Sequence, residues 1–438
     1  MSKFSFWTNP ATQEASSKNV RLTRASTNPE SHFDLTSVMS YGPNRGLPQL
    51  VEYIRAFVGE VHQPCRPDWD VMVTLGSSDA LAKVLDVLTE PGDACLVEAF
   101  SYSYALAQFR GVGIRPVGLR MDAGGLDPAD LEHILATWDV KETGSPRPRL
   151  LFTIPVGQNP TGTLLTSERK QAIYDICAKW DVLIIEDDPY YFGQFGAYIP
   201  PYARDKSPQP EITDKEWLNS LIPSFLHYDN QGRVIRLDTF SKVLGPGARL
   251  GFVTAPKNLI QHIENAQNET TTAPSGISQA VIGSMLLQWG VEGFVRWLRG
   301  MSGVYRMRRD WVVDLFLDKF HVQEEIDDAG HLVYISHAKP ASAEATNGAD
   351  ANIKVYTGSP NEPNNNHMEL VRFIPSSSGM FLWLQVSHLF KRAWSSFLIM
   401  TMHKYPTEST YLSFTRLWLA FVDLDSSIFH GILDLTIW

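Results

Sequence analysis

Residues 234–256 read VIRLDTFSKVLGPGARLGFVTAP, two apolar runs of strand type joined by the small-residue segment Thr239–Arg249. One lysine, Lys242, falls inside that joint. Burying an ammonium is costly unless something compensates it, so a lysine between two core strands needs a reason. An isolated lysine there would snorkel to water. A desolvated one becomes a nucleophile, because burial disfavours its charged form.

Outward from this joint, residues from Gly46 to Met285 alternate strand-like and helix-like segments, the pattern of an α/β domain with a mainly parallel sheet. VMVTL, ACLVEA, RLLFTIP, VLIIED, VIRLDT and LGFVTA are the candidate strands. Between the first two, SDALAKVLDVLTE repeats Leu81, Val84, Leu85 and Leu88 at helical spacing. Beyond Glu292, FVRWLRGMSGVYRMRRDWVVDLF predicts a long connecting helix leading into a smaller domain. Tyr198 to Asp229 reads as a surface excursion and 339–366 as a flexible polar insertion. The expected division is an arm over 1–39, a large domain over 40–292 and a small C-terminal domain over 293–438.

Composition narrows the function classes. With 44% apolar and 20% charged residues in 438, the chain has ample material for more than one core. A net charge of −10 without a basic cluster argues against nucleic-acid binding, which needs a basic face. Cys65, Cys95 and Cys177 lack metal-ligand spacing and suit a reducing compartment. No signal peptide, membrane-spanning run or C-terminal address is legible, so a soluble cytoplasmic protein is expected, with no membrane partner.

Parallel sheets place ligand sites beyond the carboxyl ends of their strands. After VMVTL, Gly76, Ser77 and Ser78 open a helix, offering N–H groups, hydroxyls and a positive dipole end to an anion; a plain N-cap explains the serines equally well. After ACLVEA, Tyr102 or Tyr104 can lie over a flat ring, or simply pack. The turn VGQNPTG presents Asn159 as a donor, though turn chemistry alone would also call for it. VLII ends in EDDPYY, carboxylates that need a cation; a divalent metal is the rival reading, without a histidine or further acid cluster to support it. Thr239, Ser241 and Lys242 follow VIRLD, and Arg249, with its planar fork, can grip a phosphate in two-point fashion. Gly245 and Gly247 would supply the tight turn that brings Arg249 back.

A phosphate clamp, a stacking aromatic, a donor for a phenolic oxygen, a carboxylate and an amine together suit one ligand, pyridoxal 5'-phosphate. At this point the chain resembles the class I/II aminotransferases of the fold-type-I pyridoxal-phosphate group, especially the fungal aromatic-amino-acid and kynurenine/α-aminoadipate branch. QNPTG, IIEDDPYYF and TFSKVLGPGARLGF carry the resemblance from about Ser40 to Pro256, and PSSSGMFLW and TRLWLAF resume it. It implies a mostly parallel seven-stranded sheet flanked by helices, plus a smaller α+β domain. Lys242 would hold the cofactor covalently and move a proton between substrate and cofactor. Asp187 would pair with the ring nitrogen, Tyr190 and Asn159 with the ring oxygen, and Tyr102, favoured over Tyr104 by the family pattern, would stack on the ring. Gly76, Ser77, Ser78, Thr239, Ser241 and Arg249 would surround the phosphate. Tyr41, in MSYGPNRGLPQL, matches the tyrosine that reaches the neighbouring subunit's phosphate, which implies a homodimer with shared sites. Arg416 matches the arginine that binds the substrate carboxylate.

The resemblance therefore implies transfer of an amino group from an L-amino acid, aromatic in this branch, to a 2-oxo acid by a ping-pong route, in primary metabolism or in the making of a specialised product. A lyase or decarboxylase on the same fold, or a non-catalytic homologue, stays open at this level. From Val386 to Ser413 the chain departs from the family pattern, as does its N-terminal stretch.

Overall fold

The computed structural model describes residues 33–204, 212–320, 322–327, 331–337, 369–386, 417–423 and 429–435. It divides into two units, one of residues 1–196, 209–306 and 377–379 and one of 197–208, 307–376 and 380–438. The division falls inside a long helix, whose residues up to Arg306 belong to the first unit.

In the first unit the apolar runs form a seven-stranded sheet. Its strands are β1 (Trp69–Thr74), β2 (Ala94–Glu98), β3 (Arg115–Leu119), β4 (Leu150–Thr153), β5 (Leu183–Asp187), β6 (Val234–Thr239) and β7 (Gly251–Pro256). Their spatial order is β1-β7-β6-β5-β4-β2-β3. β7 runs antiparallel to both its neighbours, while the pairs from β6 to β3 are parallel. The expected mostly parallel sheet is thus present. β3 is the strand that the apolar-run reading does not mark, because RPVGL is an edge strand interrupted by Pro116 and Gly118. Leu96, Val97, Leu151, Phe152, Ile184, Ile185 and Ile235 are all buried, as strands covered on both faces require.

Helices α1 (Pro48–Val61), α2 (Ser77–Leu88), α3 (Ser103–Gly111), α4 (Pro128–Thr137), α5 (Ser167–Lys179), α6 (Lys257–Thr270) and α7 (Gly276–Phe320) account for most of the remaining regular structure. Leu81, Val84 and Leu85 form the buried stripe of α2. The expected connecting helix is the latter part of α7, which is interrupted at Gly290 by a φ of 65° that only glycine adopts readily.

The second unit carries a six-stranded sheet of β8 (Gln323–Ile326), β9 (Leu332–His337), β10 (Glu369–Phe373), β11 (Phe381–Val386), β12 (Leu417–Asp423) and β13 (Phe429–Leu435), adjacent in that order. Only the β11–β12 pair is parallel. Val313, Phe316, Tyr334, Phe373 and Leu384 pack its core with Tyr198. The stretch read as a surface excursion is therefore anchored at both ends: Tyr198 is buried in this core, and Phe225 and Leu226 are buried in the first unit. The insertion over 339–366 lies outside the described residues. No helix among the described residues is long and apolar enough to cross a membrane.

Candidate active site

The carboxyl ends of β1, β2, β4, β5 and β6 lead directly into the candidate residues, and antiparallel β7 begins at the same edge just after Arg249. One edge of the sheet thus gathers groups that are far apart in sequence.

Around the phosphate candidates the backbone comes first. Gly76 caps α2 at φ 120° with no side-chain bond to the helix, so Ser77 and Ser78 are its first two residues and not its caps. The amides of Ser77 and Ser78 precede the first helical hydrogen bonds, which Asp79 N and Ala80 N donate to the Gly76 carbonyl, as at any helix N-terminus. A Cβ on Gly76 would sit 3.4 Å from Arg249 Nη2 and 3.5 Å from Thr239 Oγ1. Gly251 presses still closer, since a Cβ there would lie 2.4 Å from the Asp238 carbonyl oxygen and 2.8 Å from Gly76 Cα. Thr239 Oγ1 donates to Ser241 Oγ at 3.0 Å, and Arg249 Nη1 donates to the same oxygen at 3.3 Å. The residue in the left-handed conformation is Arg249 itself, at φ 45°. Gly245, at φ 174°, is in extended backbone that any residue can adopt, and Gly247 is not left-handed either, so the expected glycine hinge is replaced by a strained arginine.

Behind this cup lie the carboxylates of EDD. Strand alternation sends Glu186 and Asp188 to one side and Asp187 to the other. On the first side the cation is Arg236, from the neighbouring strand β6: its Nη1 is 3.3 Å from Glu186 Oε1 and 3.0 Å from Asp188 Oδ2, and its Nη2 is 2.9 Å from Asp238 Oδ1. All four side chains are buried. Sequence reading asked for a cation and missed this one, although it stands in VIRLD two residues before Asp238. Asp187 makes no ion pair with Arg236, which acts on it only at longer range. Burial, reinforced by Asp188, raises its pKa to about 7 while nearby Ser77 opposes the shift. Its Oδ1 is buried without a hydrogen-bond partner.

The remaining candidates converge on Asp187. Tyr190 is buried, hydrogen-bonds the Asn159 side chain, and has its hydroxyl held well above its usual pKa by burial and then by Asp187. Burial likewise raises Tyr102, with Asp187 adding to the shift and Arg249 opposing it, whereas Tyr104 is exposed. Lys242 is partly buried, and its amine is lowered first by desolvation and then by Arg249, with Asp187 opposing. Its carbonyl accepts from the Tyr305 hydroxyl at 3.1 Å, and the next carbonyl, of Val243, accepts from Trp297 Nε1 at 2.7 Å. Both anchors come from α7. In sequence they read as helix-core aromatics, and no local signal marks them. Tyr41 is 98% exposed in the single chain. Arg416 lies outside the described residues.

Pyridoxal phosphate fits this donor set. The unpartnered Asp187 oxygen suits a protonated ring nitrogen, Tyr190 and Asn159 suit a phenolic oxygen, and the glycine-lined hydroxyl cup with Arg249 suits a phosphate. Among the described residues no group of histidines, cysteines and carboxylates is arranged to hold a metal ion.

Residues 10–363 match the family model for aminotransferase class I and II, and the chain belongs to that family. An aromatic amino acid aminotransferase of Schizosaccharomyces pombe is 39% identical over 64% of this chain and 59% of its own length. An L-tyrosine:2-oxoglutarate aminotransferase of Serpula lacrymans is 36% identical over 72% of this chain and 62% of its own. The crystal structure of an aminotransferase from Candida albicans superposes with a TM-score of 0.67 at 33% identity, covering 76% of this chain and 71% of that one. The chain spans about three fifths of the length of the curated relatives it matches.

Proposed function

We propose that this chain is a pyridoxal-phosphate-dependent aminotransferase that moves the amino group of an aromatic L-amino acid to a 2-oxo acid, working as a cytoplasmic homodimer. The observation that carries the reading is the buried Asp187 carboxylate, whose Oδ1 has no hydrogen-bond partner, at the same sheet edge as Lys242 and the hydroxyl–arginine cup. Relatives named as aromatic and tyrosine aminotransferases support the choice of donor. The three unpaired cysteines suit a reducing compartment.

When bound, the cofactor supplies an electron sink for the substrate α-carbon. The protein does the rest. Asp187 keeps a proton on the ring nitrogen, and Tyr190 and Asn159 orient the ring oxygen. Tyr102 covers the ring face. Thr239, Ser241, Arg249 and the first turn of α2 fix the phosphate, with Gly76 giving the close backbone approach. Lys242, its amine pushed toward neutrality by desolvation, would move the proton between the substrate α-carbon and the cofactor, so its Nζ would serve as both nucleophile and base. Arg416 would bind the substrate α-carboxylate. Tyr41, exposed in one chain, would reach the partner copy's phosphate.

Purified protein given L-tyrosine, L-phenylalanine or L-tryptophan with 2-oxoglutarate tests this directly. The expected product is the aryl 2-oxo acid, and borohydride should fix pyridoxal phosphate to the peptide containing Lys242. Lys242→Ala should abolish both. Release of an amine and carbon dioxide, or full turnover by Lys242→Ala, would overturn the reading.

A further inference from the structure

Two loops carry the groups assigned to the cofactor ring, one after β2 with Tyr102 and one after β4 with Asn159. A single buried side chain joins them. Gln158, only 1% exposed, donates from Nε2 to the Phe100 carbonyl at 2.6 Å and to Glu98 Oε2 at 3.1 Å. Its Oε1 accepts from Thr161 N at 2.8 Å and Thr161 Oγ1 at 2.7 Å. Both amide hydrogens and both oxygen lone pairs are therefore engaged, the full capacity of a primary amide.

The base of this arrangement is equally specific. Glu98, also 1% exposed, ends β2 and accepts from Thr153 Oγ1 at 2.7 Å and from Ile154 N, both at the end of β4. Burial raises the Glu98 carboxyl to about 7, its three donors only partly offsetting the cost. Neither Glu98 nor Gln158 belongs to the groups that would touch the cofactor. Core packing alone would be met by any apolar side chain of this size, without a buried carboxylate.

We infer that Gln158, seated on Glu98, is a positioning residue that locks the Tyr102 loop to the Asn159 turn and so fixes the distance between the ring-stacking group and the ring-oxygen donor. Phe100 is two residues before Tyr102, and Asn159 directly follows Gln158, so either loop can shift only by breaking bonds to the same amide. The inference rests on the cofactor reading proposed above. An amide is required because the Phe100 carbonyl and Glu98 need donors while Thr161 needs an acceptor. A carboxylate or a thioether of similar length satisfies only part of this set.

The test uses full-length protein with the cofactor removed and then titrated back. Gln158→Met fills the same space without the hydrogen bonds, and Thr161→Val deletes one donor to Oε1. Gln158→Met should bind pyridoxal phosphate about tenfold more weakly, the size of one lost neutral hydrogen bond. It should also halve the visible circular dichroism of the bound cofactor, while far-ultraviolet dichroism stays unchanged. Thr161→Val should move both signals in the same direction by less, and it carries the test if Gln158→Met does not fold. Asn159→Ala is the reference. If Asn159→Ala changes affinity and dichroism but Gln158→Met and Thr161→Val match the wild type, the positioning role is refuted and the cofactor reading stands. If the wild type itself binds no pyridoxal phosphate, the cofactor reading fails and takes this inference with it.

Discussion

Asp187→Asn separates the two states of the site. Without cofactor, burial foremost and the Asp188 charge next hold the Asp187 carboxyl at about 7, against 3.8 for an unperturbed one. Between those values the folded protein keeps a proton that the unfolded chain has released. Stability from this group is therefore greatest near pH 4 and falls as pH rises through about 7. The full loss corresponds to roughly 4 kcal/mol, a ceiling that relaxation of the site lowers. Asparagine cannot ionise and escapes the loss. Urea unfolding of cofactor-free wild type and Asp187→Asn at pH 5, 6.5 and 8 should show the variant gaining on the wild type as pH rises. With cofactor the order reverses. The variant cannot hold the ring nitrogen protonated by charge, so it should bind pyridoxal phosphate more weakly and lose at least ~100-fold in turnover. Parallel stability curves across this pH range, or wild-type turnover by the variant, would refute the assignment.

Two further perturbations probe the scaffold. Arg236→Met strands Glu186, Asp188 and Asp238 as buried acids without their guanidinium and should cost about 3–5 kcal/mol in denaturant unfolding. Arg236→Lys should rescue little, because one ammonium cannot replace the planar fork on three carboxylates; melting points within a few degrees of wild type would count against this account. Gly251→Ala forces a methyl group into the Asp238 carbonyl and Gly76 Cα and should weaken cofactor binding about tenfold or more, whereas Gly247→Ala, with nothing within 4 Å, should titrate like wild type. Equal affinities for these two variants would show that the glycine contact does not shape the cup.

Local composition made the sheet legible because its strands are buried on both faces and read as continuous apolar runs. β3 escaped for the complementary reason, since an edge strand with Pro116 and Gly118 has no such run. The residues following the strands were legible as candidates because a parallel sheet fixes which strand ends share an edge. What stayed hidden depends on pairing between distant segments. Arg236 looks like an ordinary strand residue until β6 is laid beside β5, and Gln158 looks like a turn residue until β2 and β4 adjoin. Tyr305 and Trp297 required the path of α7 past the Lys242 loop. Gly245 and Gly247 misled because composition cannot say which residue of a tight joint takes the left-handed conformation.

The electrostatics of β5 explain why three consecutive carboxylates can be buried at the end of an apolar strand. If all three relied on protein cations, the cluster would be an ordinary ion network and Asp187 would have nothing left to offer a ligand. Alternation divides them instead. Glu186 and Asp188 share Arg236 on one side, where Asp188 Oδ1 is left over, and Asp187 on the other side makes no ion pair among the described residues and keeps its Oδ1 without a partner. Lys242 is held in the complementary condition, an amine pushed toward neutrality by desolvation and by Arg249. Each group is less favourable where it stands than its surface counterpart would be, and a ligand that carries both a protonatable ring nitrogen and an electrophilic carbonyl would relieve both at once. On the proposed cofactor reading, the cost of holding Asp187 and Lys242 in these surroundings would be returned on binding, which is why the two residues hardest to rationalise as structure are the two most informative about function.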